Sequence, residues 1–218
     1  EEFNGQQSGG RIVKYNDTFL LSIGEFRKRT LAQDKNSNFG KILQIDKNGK
    51  KIKYFSMGHR NPQGLFYDDE NKVILSTEHG PLGGDEINLI KENKNYGWPI
   101  SSYGDHYDGT FKKEAPLYKS HKEYGFEEPL HYFNPSIGIS EIIKAKNLYY
   151  DNKNYYFVGS LREQSLFVFK SENDFNEFIQ IDKFKIHERI RDIIYFEDKN
   201  IYIMTLENTP SLGIFFKN

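Results

Sequence analysis

Short runs of β-branched and aromatic residues, each bounded by turn residues, recur along this chain in groups of about four, and that recurrence limits its fold more than any other feature. The first group comprises residues 11–15 (RIVKY), 18–24 (TFLLSIG), 40–46 (GKILQID) and 51–56 (KIKYFS). Its second hairpin closes on Asn48-Gly49, the dipeptide best suited to a tight β-turn. A second group follows at 64–67, 72–77 and 86–90, ahead of a long Gly/Tyr/Pro-rich insertion over 96–129. A third lies at 137–143, 155–159, 165–170 and 178–182, and a fourth at 189–196, 200–206 and 213–216, one strand short of the others. No helix-period stretch competes, apart from a turn at 172–177. The pattern predicts an all-β chain, one domain over 1–218, built of about four β-propeller blades.

The charge balance, 30 basic against 31 acidic residues, argues against a general binder of nucleic acid or of membrane surfaces. No apolar run approaches the roughly 18 residues that span a bilayer, and no signal peptide opens the sequence. The absence of cysteine rules out disulfides and thiolate metal sites, so a metal here must be held by oxygen or imidazole. With 18 Phe and 15 Tyr, the chain has ample material for a core.

Three turn-rich clusters carry the chemistry: GHRNPQG (58–64), EHGPLGGDE (78–86) and NYGWP (95–99). Glycine and proline set the backbone there, while Arg60, Asn61, Asp85, Glu86 and exposed carbonyls supply functional groups, as in loops held on a rigid scaffold. From the residues alone, Asp85 and Glu86 read as solvated turn acids or as metal ligands. Arg189 and Arg191 read as alternate residues of an edge strand or as an anion clamp.

In this order and spacing, the three motifs resemble the soluble pyrroloquinoline-quinone (PQQ) dependent glucose/sorbosone and aldose sugar dehydrogenases, a six-bladed β-propeller family. The likeness extends to AQD and GKILQI (32–45), PSI (135–137), GSL and QSL (159–166) and ERIRDI (188–193). It implies oxidation of an aldose sugar at C1, with PQQ and calcium as cofactors. PQQ carries three carboxylates and an ortho-quinone, so its pocket needs basic side chains and a hard cation. The resemblance places Arg60 and Asn61 at the quinone, Arg189 and Arg191 on carboxylates, and Ser160, Leu161, Arg162 and Tyr107 beside the cofactor. It also implies a calcium held by the Gly80 and Pro81 carbonyls against PQQ. A second calcium is implied at the Glu86 carboxylate and the Tyr96 carbonyl, one that binds without cofactor.

The family's proton-abstracting histidine belongs to an early blade, further upstream than the 59 residues preceding Arg60, and none of the six histidines here matches it. The chain therefore resembles the last four of six blades, with a partner chain or further copy expected to complete the propeller and with a periplasmic or secreted location implied. A non-catalytic binding or structural module is the alternative. Three departures from the family pattern accompany this: Gly24-Glu25-Phe26-Arg27 in place of an acidic Gly-rich turn, Phe133 near a usual tryptophan, and PSIGISEII (135–143) in place of the usual small-residue run after PSI.

Overall fold

The computed structural model describes residues 5–107, 117–149, 151 and 153–216, which pack as two compact units, Glu1–Ser136 and Ile137–Asn218.

In the first unit, β1 (Gly9–Tyr15), β2 (Thr18–Ile23), β3 (Lys41–Asp46) and β4 (Ile52–Met57) form one antiparallel sheet in chain order. The four runs expected from the sequence are all there. β1 begins two residues earlier because Gly9 pairs with Ile23 and donates to the Asn61 side chain at 3.2 Å. A second sheet holds β5 (Pro62–Asp68), β6 (Val73–Glu78), β7 (Asp85–Ile90) and β8 (His131–Phe133). Strand β8 was not foreseen. At three residues it has no alternation to detect, and it reaches β7 only after the insertion, where it pairs with Asp85–Ile87. Leu20, Ile42, Phe55, Leu65, Ile74, Ile90 and Tyr96 form the core of this unit.

Lys41, the first residue of β3, is 0% exposed, and its ammonium donates to the carbonyls of Leu31, Ala32 and Phe39 at 2.8–2.9 Å. It thereby ties the loop between β2 and β3 to the sheet. Burial pushes this lysine down to about 8, with Asp34 opposing. Below that pH the amine is charged in both folded and unfolded chains, and above its ordinary 10.5 it is neutral in both. Between the two the unfolded chain binds more protons, so this group makes stability rise with pH. Urea unfolding from pH 7 to 10 is expected to show the native protein gaining roughly 1–3 kcal/mol relative to Lys41→Met; parallel curves would refute it.

In the second unit, β9 (Ile139–Lys144), β10 (Asn154–Ser160), β11 (Ser165–Glu172) and β12 (Glu177–Lys185) form an antiparallel sheet ordered β12-β11-β10-β9. The last sheet has three strands among the described residues, β13 (Ile190–Phe196), β14 (Ile201–Leu206) and β15 (Ser211–Phe215). Tyr155, Phe157, Leu166, Val168, Ile193 and Met204 fill the space between the two sheets. The expected shortfall of one strand is thus observed. It leaves β15 with Leu212 and Ile214 at 69% and 61% exposure, and Ile194, Ile203 and Ile214 fall in one cross-strand row. An open edge with an apolar face invites pairing with another chain. Sedimentation is expected to show concentration-dependent association that Leu212→Lys with Ile214→Lys suppresses; a monomer at all concentrations would count against it. The remaining regular structure among the described residues is four short 3-10 turns, one at the expected 172–177 position.

Candidate functional site

The loops that enter β5 and leave β7 run side by side. Met57 and Gly58 exchange backbone hydrogen bonds with Lys94, Tyr96 and Trp98 at 2.9–3.0 Å. Gly58 is in the left-handed region at φ +77°, and a Cβ there would lie 2.7 Å from the Gly97 nitrogen, so only glycine permits this approach. The pairing sets Trp98 against Arg60, whose guanidinium carbon lies 5.2 Å from the indole centroid, with that of Arg29 at 5.7 Å.

Arg60 is 5% exposed. Its Nη1 donates to the carbonyls of His79 at 2.9 Å and Gly80 at 2.7 Å, and its backbone N–H donates to Glu78 Oε1 at 2.8 Å. With its amide turned to satisfy both ends, Gln7 accepts from Arg60 Nη2 at 2.8 Å and donates to Glu25 Oε1. Glu25 is buried beside Arg60 and Arg29; burial raises its carboxyl above the usual range, and the two guanidiniums oppose that. Arg60 Nε and Trp98 Nε1 are buried donors without a protein acceptor.

Behind this face lie two acidic pairs. Glu78 and Glu86 sit directly opposite each other on β6 and β7, an unfavourable arrangement for like charges. Each has an imidazole beside it. His59, fully buried, places Nδ1 2.9 Å from Glu78 Oε2 and Nε2 2.8 Å from Ser56 Oγ. His121 Nδ1 lies 3.1 Å from the Tyr96 carbonyl, and its Nε2 lies 3.3 Å from Glu86 Oε1. Glu86 also accepts from Asn88 Nδ2 at 3.2 Å. Burial raises Glu86 against the pull of His121; burial likewise works against the His121 cation, but the Glu86 carboxylate outweighs it and holds the ring above the ordinary histidine value.

The expected residues of this unit thus separate. Arg60 is at the centre, and the Gly80 carbonyl accepts from it. Pro81 is buried in the same turn. Asn61, expected at the quinone, uses its Oδ1 to accept from Gly9 and Gln63 and braces the start of β1. Tyr107 is 67% exposed, within electrostatic reach of Arg60; the last two residues of its expected segment, 108–109, lie outside the described residues. The oxygens of Glu86 and Tyr96 have His121 between them.

In the second unit, Ser160 is buried and donates to the Ile137 carbonyl at 2.6 Å. Leu161 and Arg162 donate from their backbones to Gly138 and Ile137. Arg189 and Arg191 share one carboxylate, with Nε atoms 3.0 and 2.5 Å from the two oxygens of Glu207. The two guanidiniums thus act together on one carboxylate, each donating to a different oxygen. Sequence reasoning did not single out Glu25, Arg29, His59, Glu78, Trp98 or His121. Trp98 carried a signal as the sole tryptophan, inside a quoted motif; His121 carried none.

Residues 1–213 match the glucose/sorbosone dehydrogenase family. The chain belongs to that family. It is 30% identical to the aldose sugar dehydrogenase of Escherichia coli over 95% of its own length and 59% of the relative's. Identity to quinoprotein glucose dehydrogenase B of Acinetobacter calcoaceticus is 38% over 130 residues, 45% of this chain and 27% of that one. The crystal structure of the soluble E. coli aldose sugar dehydrogenase in its apo form superposes with a TM-score of 0.79 at 26% identity, covering 96% of this chain and 64% of that one. The all-β architecture is therefore that of the soluble glucose dehydrogenase propellers, and the chain spans under two thirds of the length of these family members.

Proposed function

We propose that this chain carries the cofactor-facing part of a PQQ-dependent dehydrogenase that oxidises aldose sugars at C1, outside the cytoplasm. The observation that carries the reading is Arg60, a permanent cation buried against Trp98 and fixed on two carbonyls. Such a guanidinium is ready to meet a planar, oxygen-rich anion without reorganising. PQQ, when bound, accepts a hydride from the sugar.

The protein's own residues bind and orient. Arg60 presents its unpartnered Nε and Trp98 its unpartnered Nε1 as donors, and Arg29 adds charge over the same indole. In the second unit, taken by itself, Arg189 and Arg191 form a two-guanidinium clamp, with Glu207 as the group that an incoming carboxylate would displace. The Gly80 carbonyl keeps one lone pair beside its bond from Arg60, so with Pro81 it would hold the calcium that polarises the quinone.

Four of the six histidines are committed elsewhere: His59 and His121 are engaged with buried glutamates, His106 Nδ1 lies 3.1 Å from Arg29 Nη1, and His131 packs on Phe133 with its ring held below the ordinary value by burial. This favours a second reading, a binding module that does not turn over by itself. Because Trp98 is the sole tryptophan, a PQQ titration followed by its fluorescence tests the site. Saturable quenching without sugar-dependent dye reduction is expected from these 218 residues. Absence of quenching would overturn the cofactor assignment, and robust dye reduction would overturn the missing base.

A further inference from the structure

We propose that the second calcium site implied by family resemblance does not bind metal here, because the His121 imidazole stands in its place and joins the Tyr96 carbonyl to the Glu86 carboxylate. The ring lies between the two oxygens, 3.1 Å from one and 3.3 Å from the other. A calcium ion bonds its oxygens at about 2.3–2.6 Å, so one ion brings two ligands within roughly 5 Å of each other. The imidazole instead holds its partners apart: Nδ1 hydrogen-bonds the Tyr96 carbonyl, while Nε2 stands at ion-pair distance from Glu86 Oε1 without hydrogen-bond geometry.

The ring is locked in place. His121 is 1% exposed, Tyr103 stacks on it at a centroid distance of 5.3 Å, and Tyr132 stacks on Tyr103 at 3.9 Å. Gly97, at φ +91°, is what admits it, since a Cβ there would lie 3.1 Å from the Nδ1. The His121 carbonyl closes the following turn by accepting from Tyr124 and Phe126 at 3.1 and 2.9 Å, so the backbone too is tied.

The space that remains is unsuited to the ion. Beside Glu86 and His121 there is a cavity of about 10 Å³, room for one water rather than for a cation with six to eight oxygens. Arg60 and Trp98, whose Nε and Nε1 are buried donors without a protein acceptor, are among the residues of its wall. The carboxylate that a calcium would neutralise already has the imidazole as its partner. An aromatic side chain with a proton thus does locally what a metal does in the family pattern, and this part of the fold becomes independent of calcium.

The inference concerns a site that sugar oxidation does not use, so that reading survives its failure. Calorimetry and thermal melts with calcium chloride on the 218-residue chain test it. Glu86→Gln is expected to leave the calcium response of the native chain unchanged. His121→Ala is expected to gain one binding event and, at about 100 times Kd, a rise in Tm of roughly 5–10 °C that Glu86→Gln then removes. A native response abolished by Glu86→Gln, or no gain in a folded His121→Ala, overturns the proposal. Should the variant not fold, nitrogen NMR of native His121 decides: an Nδ1–H signal unmoved by millimolar calcium supports the assignment, and its loss refutes it.

Discussion

Arg60→Ala is expected to weaken PQQ binding by roughly 10²- to 10³-fold, read from the quenching of Trp98. The Nε is the donor Arg60 has left for a ligand; its hydrogen bond to a charged partner contributes about 1.5–3 kcal/mol, and losing the buried cation beside the anion brings the change to that order. The estimate depends on Arg60 being pre-positioned, which its bonds to the His79 and Gly80 carbonyls accomplish. Arg60→Lys is expected to recover little. An ammonium keeps the charge, but it cannot hold two carbonyls with one edge while presenting another to a ligand, and it lies less well over an indole. A Lys variant that binds as the native chain does would mean that charge alone, and not the fork, is what the site uses. Arg29→Ala serves as the comparison. Its guanidinium carbon is 5.7 Å from the same ring, so loss of Arg29 probes charge over the indole without disturbing the carbonyl anchor.

How far the sequence spoke for itself can be followed in these same residues. The strands were legible because runs such as residues 18–23 and 165–172 concentrate β-branched, aromatic and other apolar residues, and because Asn48-Gly49 and similar turns punctuate them. Arg60 was legible because a motif surrounds it. Trp98 lay inside a quoted motif, yet its role was hidden, since stacking on Arg60 depends on Gly58 letting two loops converge from 38 residues apart. Asn61 was assigned to the quinone by resemblance, whereas its side-chain oxygen is committed to Gly9 and Gln63. His121 was least legible of all: it lies 25 residues from Tyr96 and 35 from Glu86, and nothing in a turn of Lys, Glu and Tyr marks which side chain will turn inward. Motif reading finds residues whose role follows from their neighbours in sequence. It misses partners that only the pairing of β6 with β7 and the path of the insertion bring together.

Glu78→Ala is expected to be a strongly destabilising change in the first unit, by about 2–5 kcal/mol in urea unfolding, the cost of leaving two buried donors without an acceptor. Three groups depend on this carboxylate: His59 Nδ1 at 2.9 Å, the Arg60 backbone N–H at 2.8 Å and, through that N–H, the loop that aims the guanidinium. Alanine leaves the imidazole and the amide buried without acceptors, each a desolvation loss. One effect runs the other way. Glu78 faces Glu86 across the β6–β7 pair, so its removal relieves a like-charge repulsion. Glu78→Gln separates the two contributions. It keeps an amide oxygen for the Arg60 N–H, gives up the charge that faces Glu86, and is expected to cost only about 1–3 kcal/mol. If alanine and glutamine cost the same, the charge on Glu78 is what holds the loop. If both are nearly neutral, the relief of repulsion cancels the lost bonds, and Glu86→Gln should then be markedly less costly in the native background than in either variant.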